Sequence, residues 1–134
     1  MKLFPMILAG LLLLTGCGRN TATGGVDQPK AVYRQVSAAD AAALMESASD
    51  YILLDVRTQA EYDQGHIPGA VCIPNETIGT EEIPALPDKD QLILVYCRSG
   101  NRSKQAAQKL AEQGYTNIVE FGGILSWPGE TVSS

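Results

Sequence analysis

The chain has 134 residues, 45% of them hydrophobic, with 13 Gly and 7 Pro. That composition bounds it to one turn-rich globular domain with room for a leader. Its formal net charge of −5 excludes a general polyanion-binding surface, since nucleic-acid binding rests on clustered Lys and Arg.

Residues 1–16 read as a processed leader. Met1-Lys2 is a short basic start, and Leu3 to Leu14 is an uncharged run of twelve residues. A bilayer span takes roughly 20 residues, so the run suits a signal-peptide core instead. It ends in Leu14-Thr15-Gly16-Cys17, which resembles a bacterial lipobox. That resemblance implies cleavage before Cys17 and lipid modification of it. The domain would then be exported and anchored to the cell membrane, facing the periplasm or the cell exterior. A plain signal peptide with an incidental cysteine is the competing reading. Residues 17–31 hold Cys17 and a polar stretch of Asn, Thr, Gly, Asp, Gln and Pro. With almost nothing apolar to bury, this stretch reads as a flexible tether.

The domain itself is expected over residues 32–134, where strands and helices alternate. Val32 to Val36 alternates like a short strand. Ser37 and Asp40 stand three apart, like a capping box with Asp in the Glu position, and an Ala-rich helix to Glu46 follows. Tyr51 to Leu54 and Leu92 to Tyr96 are continuous apolar runs, which suit central parallel strands covered on both faces. Val71 to Ile73 is a third strand, closed by Pro74. Arg102 to Gln113 has helical spacing, with Gly114 as its stop, and Asn117 to Phe121 supplies the last strand. The alternation predicts an α/β domain with a parallel sheet and helices on both faces. Ligands of such sheets bind beyond the carboxyl ends of the strands, and Cys97 directly follows the most apolar one.

Export into an oxidising compartment favours disulfides, and with Cys17 lipidated only Cys72 and Cys97 remain. Two readings are open: the two pair, or Cys97 is a reactive thiol and Cys72 a small core residue. The loop Cys97-Arg98-Ser99-Gly100-Asn101-Arg102-Ser103 favours the second. Gly100 permits a tight curl, while Ser99, Asn101 and Ser103 tolerate unusual backbone angles or cap a helix. Such a loop turns successive N–H groups inward at the positive end of the following helix. Those dipoles, with the Arg98 and Arg102 guanidinium groups, favour the Cys97 thiolate, whose pKa should fall below the free value of about 8.5. A buried structural cysteine is the bland alternative, but it has no use for a polar, cationic loop. Zinc is disfavoured, because a tetrahedral site usually takes four Cys or His ligands. Only Cys72, Cys97 and His66 are at hand besides Cys17.

Four elements in order resemble the rhodanese domain. They are Leu54-Asp55-Val56-Arg57, then Glu61-Tyr62 with Gly65-His66-Ile67-Pro68-Gly69-Ala70, then the Cys97 to Ser103 loop, then Gly122-Gly123 with Trp127. The resemblance spans Val32 to Pro128. It implies a three-layer α/β/α domain whose five-stranded parallel sheet has the order 1-5-4-2-3. It also implies a sulfurtransferase without cofactor or metal, in which Cys97 takes a sulfane sulfur from thiosulfate or a persulfide. The Cys97 persulfide then passes the sulfur to cyanide or a thiol, including a protein thiol. The loop Arg98, Ser99, Gly100, Asn101, Arg102 and Ser103 would hold the substrate, with Arg57 either facing it or paired with a carboxylate. Asp55 and His66 are expected to be structural residues near the site, and Trp127 a packing residue.

The chain departs from the family's two-domain thiosulfate:cyanide enzymes at two points. They carry Arg where Glu61 stands and a basic residue where Ser99 stands, so two cations that would meet a dianion are missing, and Arg98 is a candidate replacement for one. Phosphatases and arsenate reductases with a Cys–loop–Arg site are the competing enzymes. They have five residues between Cys and Arg, whereas Cys97 and Arg102 enclose four, a tighter nest that suits sulfur. A non-catalytic binding module or sulfur carrier on the same fold is the third reading, and retention of Cys97 argues against a purely binding role.

Overall fold

The computed structural model describes residues 32–134. The expected leader, Cys17 and tether lie outside the described residues. The sheet has five parallel strands in the order β1-β5-β4-β2-β3. They are β1 (Arg34–Gln35), β2 (Ile52–Asp55), β3 (Val71–Cys72), β4 (Ile93–Cys97) and β5 (Ile118–Gly123). This is the expected fold class and strand order.

Side-chain alternation along β4 explains its unbroken apolar run. Ile93, Val95 and Cys97 meet Ala106, Ala107 and Leu110 of helix α3 (Asn101–Glu112) on one face. Leu94 and Tyr96 pack with Val119 and Phe121 against Ala38 and Ala41 of helix α1 (Ala38–Ser47) on the other. Successive residues point to opposite faces, and with both faces covered β4 shows no alternation of polar and apolar residues. Alanines on both helices let their axes approach the sheet closely.

Several element limits differ from the sequence reading. The inner strands run one residue further than the apolar runs, because Asp55 and Cys97 still pair in the ladder. β1 shrinks to two exposed residues, since as an edge strand it pairs with β5 alone. Ser37 Oγ accepts from the Asp40 N–H at 3.0 Å, as expected of an N-cap. The full reciprocal box forms at helix α2 (Gln59–Gln64), where Thr58 caps and Glu61 reaches back. This helix has no buried residue and so leaves no hydrophobic period to read. Gly114, at φ +101°, ends α3 as expected.

The sheet also separates Cys72 and Cys97, the two cysteines among the described residues, and both are free. β2 lies between β3, which carries Cys72, and β4, which carries Cys97. Two strand spacings amount to about 9.5 Å, beyond the ~7 Å between Cα atoms that a disulfide can bridge.

Candidate active site

β4 ends at Cys97 and α3 begins at Asn101, so Arg98, Ser99 and Gly100 make the whole turn between them. Gly100 takes φ +113° and is an N-cap without a side-chain hydrogen bond. The cap's place is taken by sulfur: the Gly100 N–H donates to Cys97 Sγ at 2.9 Å. A helix N-terminus leaves its first N–H groups unpartnered and carries partial positive charge, which here falls on the cysteine. Cys97 is 1% exposed, and burial pushes its thiol up. The Ser103 hydroxyl, with the N–H groups of Ser103, Gly100 and Ser99, outweighs that effect, so the net shift is downward.

The floor of the loop is the glycine pair at the end of β5. Val95 pairs with Glu120 but Cys97 with Gly123, so β5 carries one extra residue in a bulge beside the loop. A Cβ on Gly123 would stand 1.9 Å from the Arg98 carbonyl oxygen and 2.6 Å from Ser99 Cα. Only a glycine lets the two backbones approach this closely.

Two of the three arginines expected at the site, Arg57 and Arg102, have carboxylate partners. Arg57 donates Nε and Nη2 to Asp55, with Nη2–Oδ2 at 2.6 Å, and Nη2 also reaches the Gly65 carbonyl at 2.7 Å. Burial lowers the Arg57 pKa, and Asp55 more than restores it, so the guanidinium stays charged. Arg102 donates Nη1 and Nη2 to the two carboxylate oxygens of Glu61. Arg102 and the Cys97 thiolate still attract each other beside that pair, and the attraction helps hold the guanidinium charged. The largest effects favouring the Cys97 thiolate come from the Ser103 hydroxyl and the loop N–H groups, while Arg102 is committed to Glu61.

Arg98, Ser99 and Asn101 are exposed, and Ser103 is buried. Beside the loop lies a cleft of about 340 Å³ lined by Arg57, Glu61, Gly65, Arg98 and Leu125 among others. Arg98 has no ion-pair partner among the described residues. His66 stacks on Tyr62 with ring centroids 3.7 Å apart, and its Nδ1 lies 2.8 Å from the Tyr62 carbonyl. Its backbone exchanges two hydrogen bonds with Val132. Trp127 is half-buried and packs on Phe121.

Two participants escape the sequence reading. Thr58 shares Glu61 with Arg102, and its only signal is the Thr-x-x-Glu spacing. Glu120 is 2% exposed and accepts from Ser103 Oγ at 2.5 Å and from the Gly122 N–H at 2.8 Å. Its signal is an acidic residue inside the apolar run Ile118 to Phe121.

The chain is similar to known proteins in sequence and fold. Residues 37–130 match the model of the rhodanese-like domain. A protein named sulfurtransferase from Allochromatium vinosum is 42% identical over 86 residues, covering 62% of this chain and 77% of that one. Thiosulfate sulfurtransferase PspE of Escherichia coli is 39% identical over 53% of this chain and 68% of its own. Among solved structures, a rhodanese with anions from E. coli has 34% identity and a TM-score of 0.58, over 63% of this chain and 99% of that one. A rhodanese-related protein from Thermoplasma volcanium has 32% identity and a TM-score of 0.62, over 76% and 100%. The match begins at the N-cap of α1 and runs past the glycine pair that floors the loop, and the chain belongs to the family of rhodanese-like domains.

Proposed function

We propose that this protein is a sulfurtransferase in which Cys97 carries sulfane sulfur as a persulfide. The observation that carries the reading is the sulfur at the N-terminus of α3, with the Gly100 N–H 2.9 Å from Sγ. Relatives named as sulfurtransferases support it. The Cys97 thiolate attacks the sulfane sulfur of the donor and forms a new S–S bond. The donor's own S–S bond breaks, and its electron pair leaves with the departing group, which is sulfite when the donor is thiosulfate. The terminal sulfur of the persulfide is anionic, and the loop N–H groups are available to hold it. Cyanide or an acceptor thiolate then attacks that sulfur, and Cys97 departs as the thiolate.

Cys97 is 1% exposed, and an S–S bond of about 2 Å extends its reach towards an acceptor outside the loop. Arg98 is the residue for steering an anionic donor, because the cleft's other guanidinium, Arg57, is engaged by Asp55. After incubation with a sulfane donor, intact mass should rise by one sulfur atom, removable by cyanide or excess thiol. Cys97→Ser should abolish the gain, because oxygen does not replace the persulfide sulfur. Normal loading of that variant, or sulfur mapped to Cys72, overturns the reading.

We also propose that the domain is exported and held at a membrane through lipid on Cys17. The support is the uncharged run ending in Leu-Thr-Gly-Cys, followed by a polar tether. Cys17→Ser should stop lipid labelling in cells, and unchanged labelling of that variant would sink the proposal.

A further inference from the structure

Thr131 to Ser134 lie beyond the residues shared with rhodanese-like domains, yet Thr131 lines the cleft beside the Cys97 loop. Val132 and His66 exchange two backbone hydrogen bonds. The His66 N–H donates to the Val132 carbonyl at 2.7 Å, and the Val132 N–H to the His66 carbonyl at 2.8 Å. The Ser134 N–H donates to the Asp63 carbonyl at 3.0 Å. On the other side of Thr131, Trp127 Nε1 donates to the Glu130 carbonyl at 3.3 Å, and the indole packs on Phe121. The segment is a strap held at both ends, with Thr131 between the anchors.

The facing walls come from elsewhere in the fold. Gln64 and Gly65 stand at the end of α2, Arg98 follows Cys97, and Ile124 and Leu125 belong to a short turn after β5. The Leu125 N–H donates to the Arg98 carbonyl at 3.3 Å, which ties that turn to the loop. Backbone hydrogen bonds thus fix both the Leu125 wall and the Thr131 wall, so the fold sets the width between them.

That width bears on the chemistry because of where the sulfur lies. Cys97 is 1% exposed, so an acceptor has to reach its persulfide past neighbouring groups. A second cavity, lined by Ile78, Lys109 and Gln113 among others, lies at the C-terminal end of α3, whereas Cys97 stands at the N-terminal end. The approach to sulfur is therefore the cleft that Arg98 lines. Its volume of about 340 Å³ is at the low end of the range of about 300–1,000 Å³ for small-molecule pockets.

We propose that Thr131–Ser134 form a size-selecting wall of this cleft, and that Thr131 is a specificity-determining residue favouring compact thiol acceptors over bulky peptide thiols. The wall governs which acceptor reaches the persulfide and leaves the bonds made and broken as described above. This rests on Cys97 being the loaded residue.

The test is single-turnover release of sulfur from the loaded full chain, with loading verified beforehand by intact mass. The probes are N-acetylcysteine amide and a neutral, doubly capped pentapeptide with a central cysteine, which present the same reacting group with different bulk. Wild type should release sulfur several-fold faster to the compact probe. Thr131→Gly, which widens the cleft, should shrink that ratio several-fold, and Thr131→Trp should enlarge it. The strap's bonds to His66 and Asp63 join backbone atoms, so both variants retain them and either decides alone. Val132→Pro lacks the N–H that meets the His66 carbonyl, loosens the strap and should shrink the ratio as Thr131→Gly does. A merely structural Thr131 would slow both probes together and leave the ratio as in wild type. A ratio that stays fixed in the Thr131 variants, or moves in the opposite sense, overturns the wall and leaves the sulfur reading intact. Failure of Cys97 to gain sulfur in the wild type overturns both.

Discussion

Arg102 turns both terminal nitrogens onto Glu61, with Nη1 2.7 Å from Oε1 and Nη2 3.0 Å from Oε2. The same Oε1 accepts from the Thr58 N–H and Thr58 Oγ1, so one carboxylate ties the start of α2 to the first turn of α3. Arg102 first, helped by Thr58, holds the Glu61 carboxyl down at about 2.

Glu61→Gln keeps an oxygen for Thr58 but releases the Arg102 charge beside the cleft. The concentration of thiosulfate needed for half-maximal loading should then fall several-fold, and the gain should shrink as salt rises. The fold should lose about 1 kcal/mol, a value kept small because the pair is partly solvated. The acid side gives an independent check. The Glu61 carboxyl is lowered by folding, so its contribution is complete above the unfolded value and disappears as pH falls from there towards about 2. Urea unfolding across that range should show a shallower acid loss in the variant. An unchanged thiosulfate dependence would mean that an Arg102 freed from Glu61 does not meet the dianion.

The inner strands were legible because burial on both faces leaves an unmistakable run at Leu92 to Tyr96. Cys97 was legible because its position after that run and the glycine of its loop are local features. Glu61 and Arg102 stand 41 positions apart, and nothing in either neighbourhood signals that one neutralises the other. Glu120 reads as a lone acid in a strand. Its meaning depends on a bulge that sets Gly123 beside Cys97, and a bulge of this kind has no sequence period. α2 carries only its cap, because a helix with no buried side chain has no stripe to show.

Cys72→Ala tests the separation of the two cysteines. Cys72 is half-buried on β3, and its thiol donates to the Arg57 carbonyl at 3.7 Å. Burial raises its thiol above the usual value, which keeps it protonated and unreactive. Removing one sulfur from a partly exposed site should cost about 1 kcal/mol or less. Sulfur loading should be unchanged with or without reductant. Loss of loading under non-reducing conditions would show that Cys72 resolves or protects the persulfide.

Gly123→Ala tests the floor of the loop. The added methyl would overlap the Arg98 carbonyl and crowd Ser99 Cα, so the Cys97 loop has to move away from β5. A shift of about 1 Å in a positioned site costs on the order of a hundredfold in rate, and the strain should cost about 1–3 kcal/mol of stability. Loading rate and urea unfolding measure the two effects. Gly122→Ala is the comparison, because it meets no neighbouring atom within 4 Å but must adopt φ +89°. Its cost should come from backbone strain. Equal loading by Gly123→Ala and wild type would mean that the loop does not depend on contact with β5.

The charge state of Cys97 can be read through both reactivity and stability. Burial opposes the thiolate, while Ser103 and the Gly100 and Ser99 N–H groups favour it and prevail. Alkylation of Cys97 should therefore titrate below the free-thiol value of about 8.5. Between the folded midpoint and the free-thiol value the unfolded chain binds more protons than the folded one, so stability rises with pH across that window. The gain is fully present above the free-thiol value and is lost as pH falls through the folded midpoint. Cys97→Ser has no thiolate and should lack this rise, so the stability difference between wild type and variant should widen with pH and then level off. Ser103→Ala removes the largest group favouring the thiolate and should move the alkylation midpoint upward. An alkylation midpoint at or above that of a free thiol in the intact protein would show that burial wins, and the N-terminus of α3 would then not be what charges the sulfur.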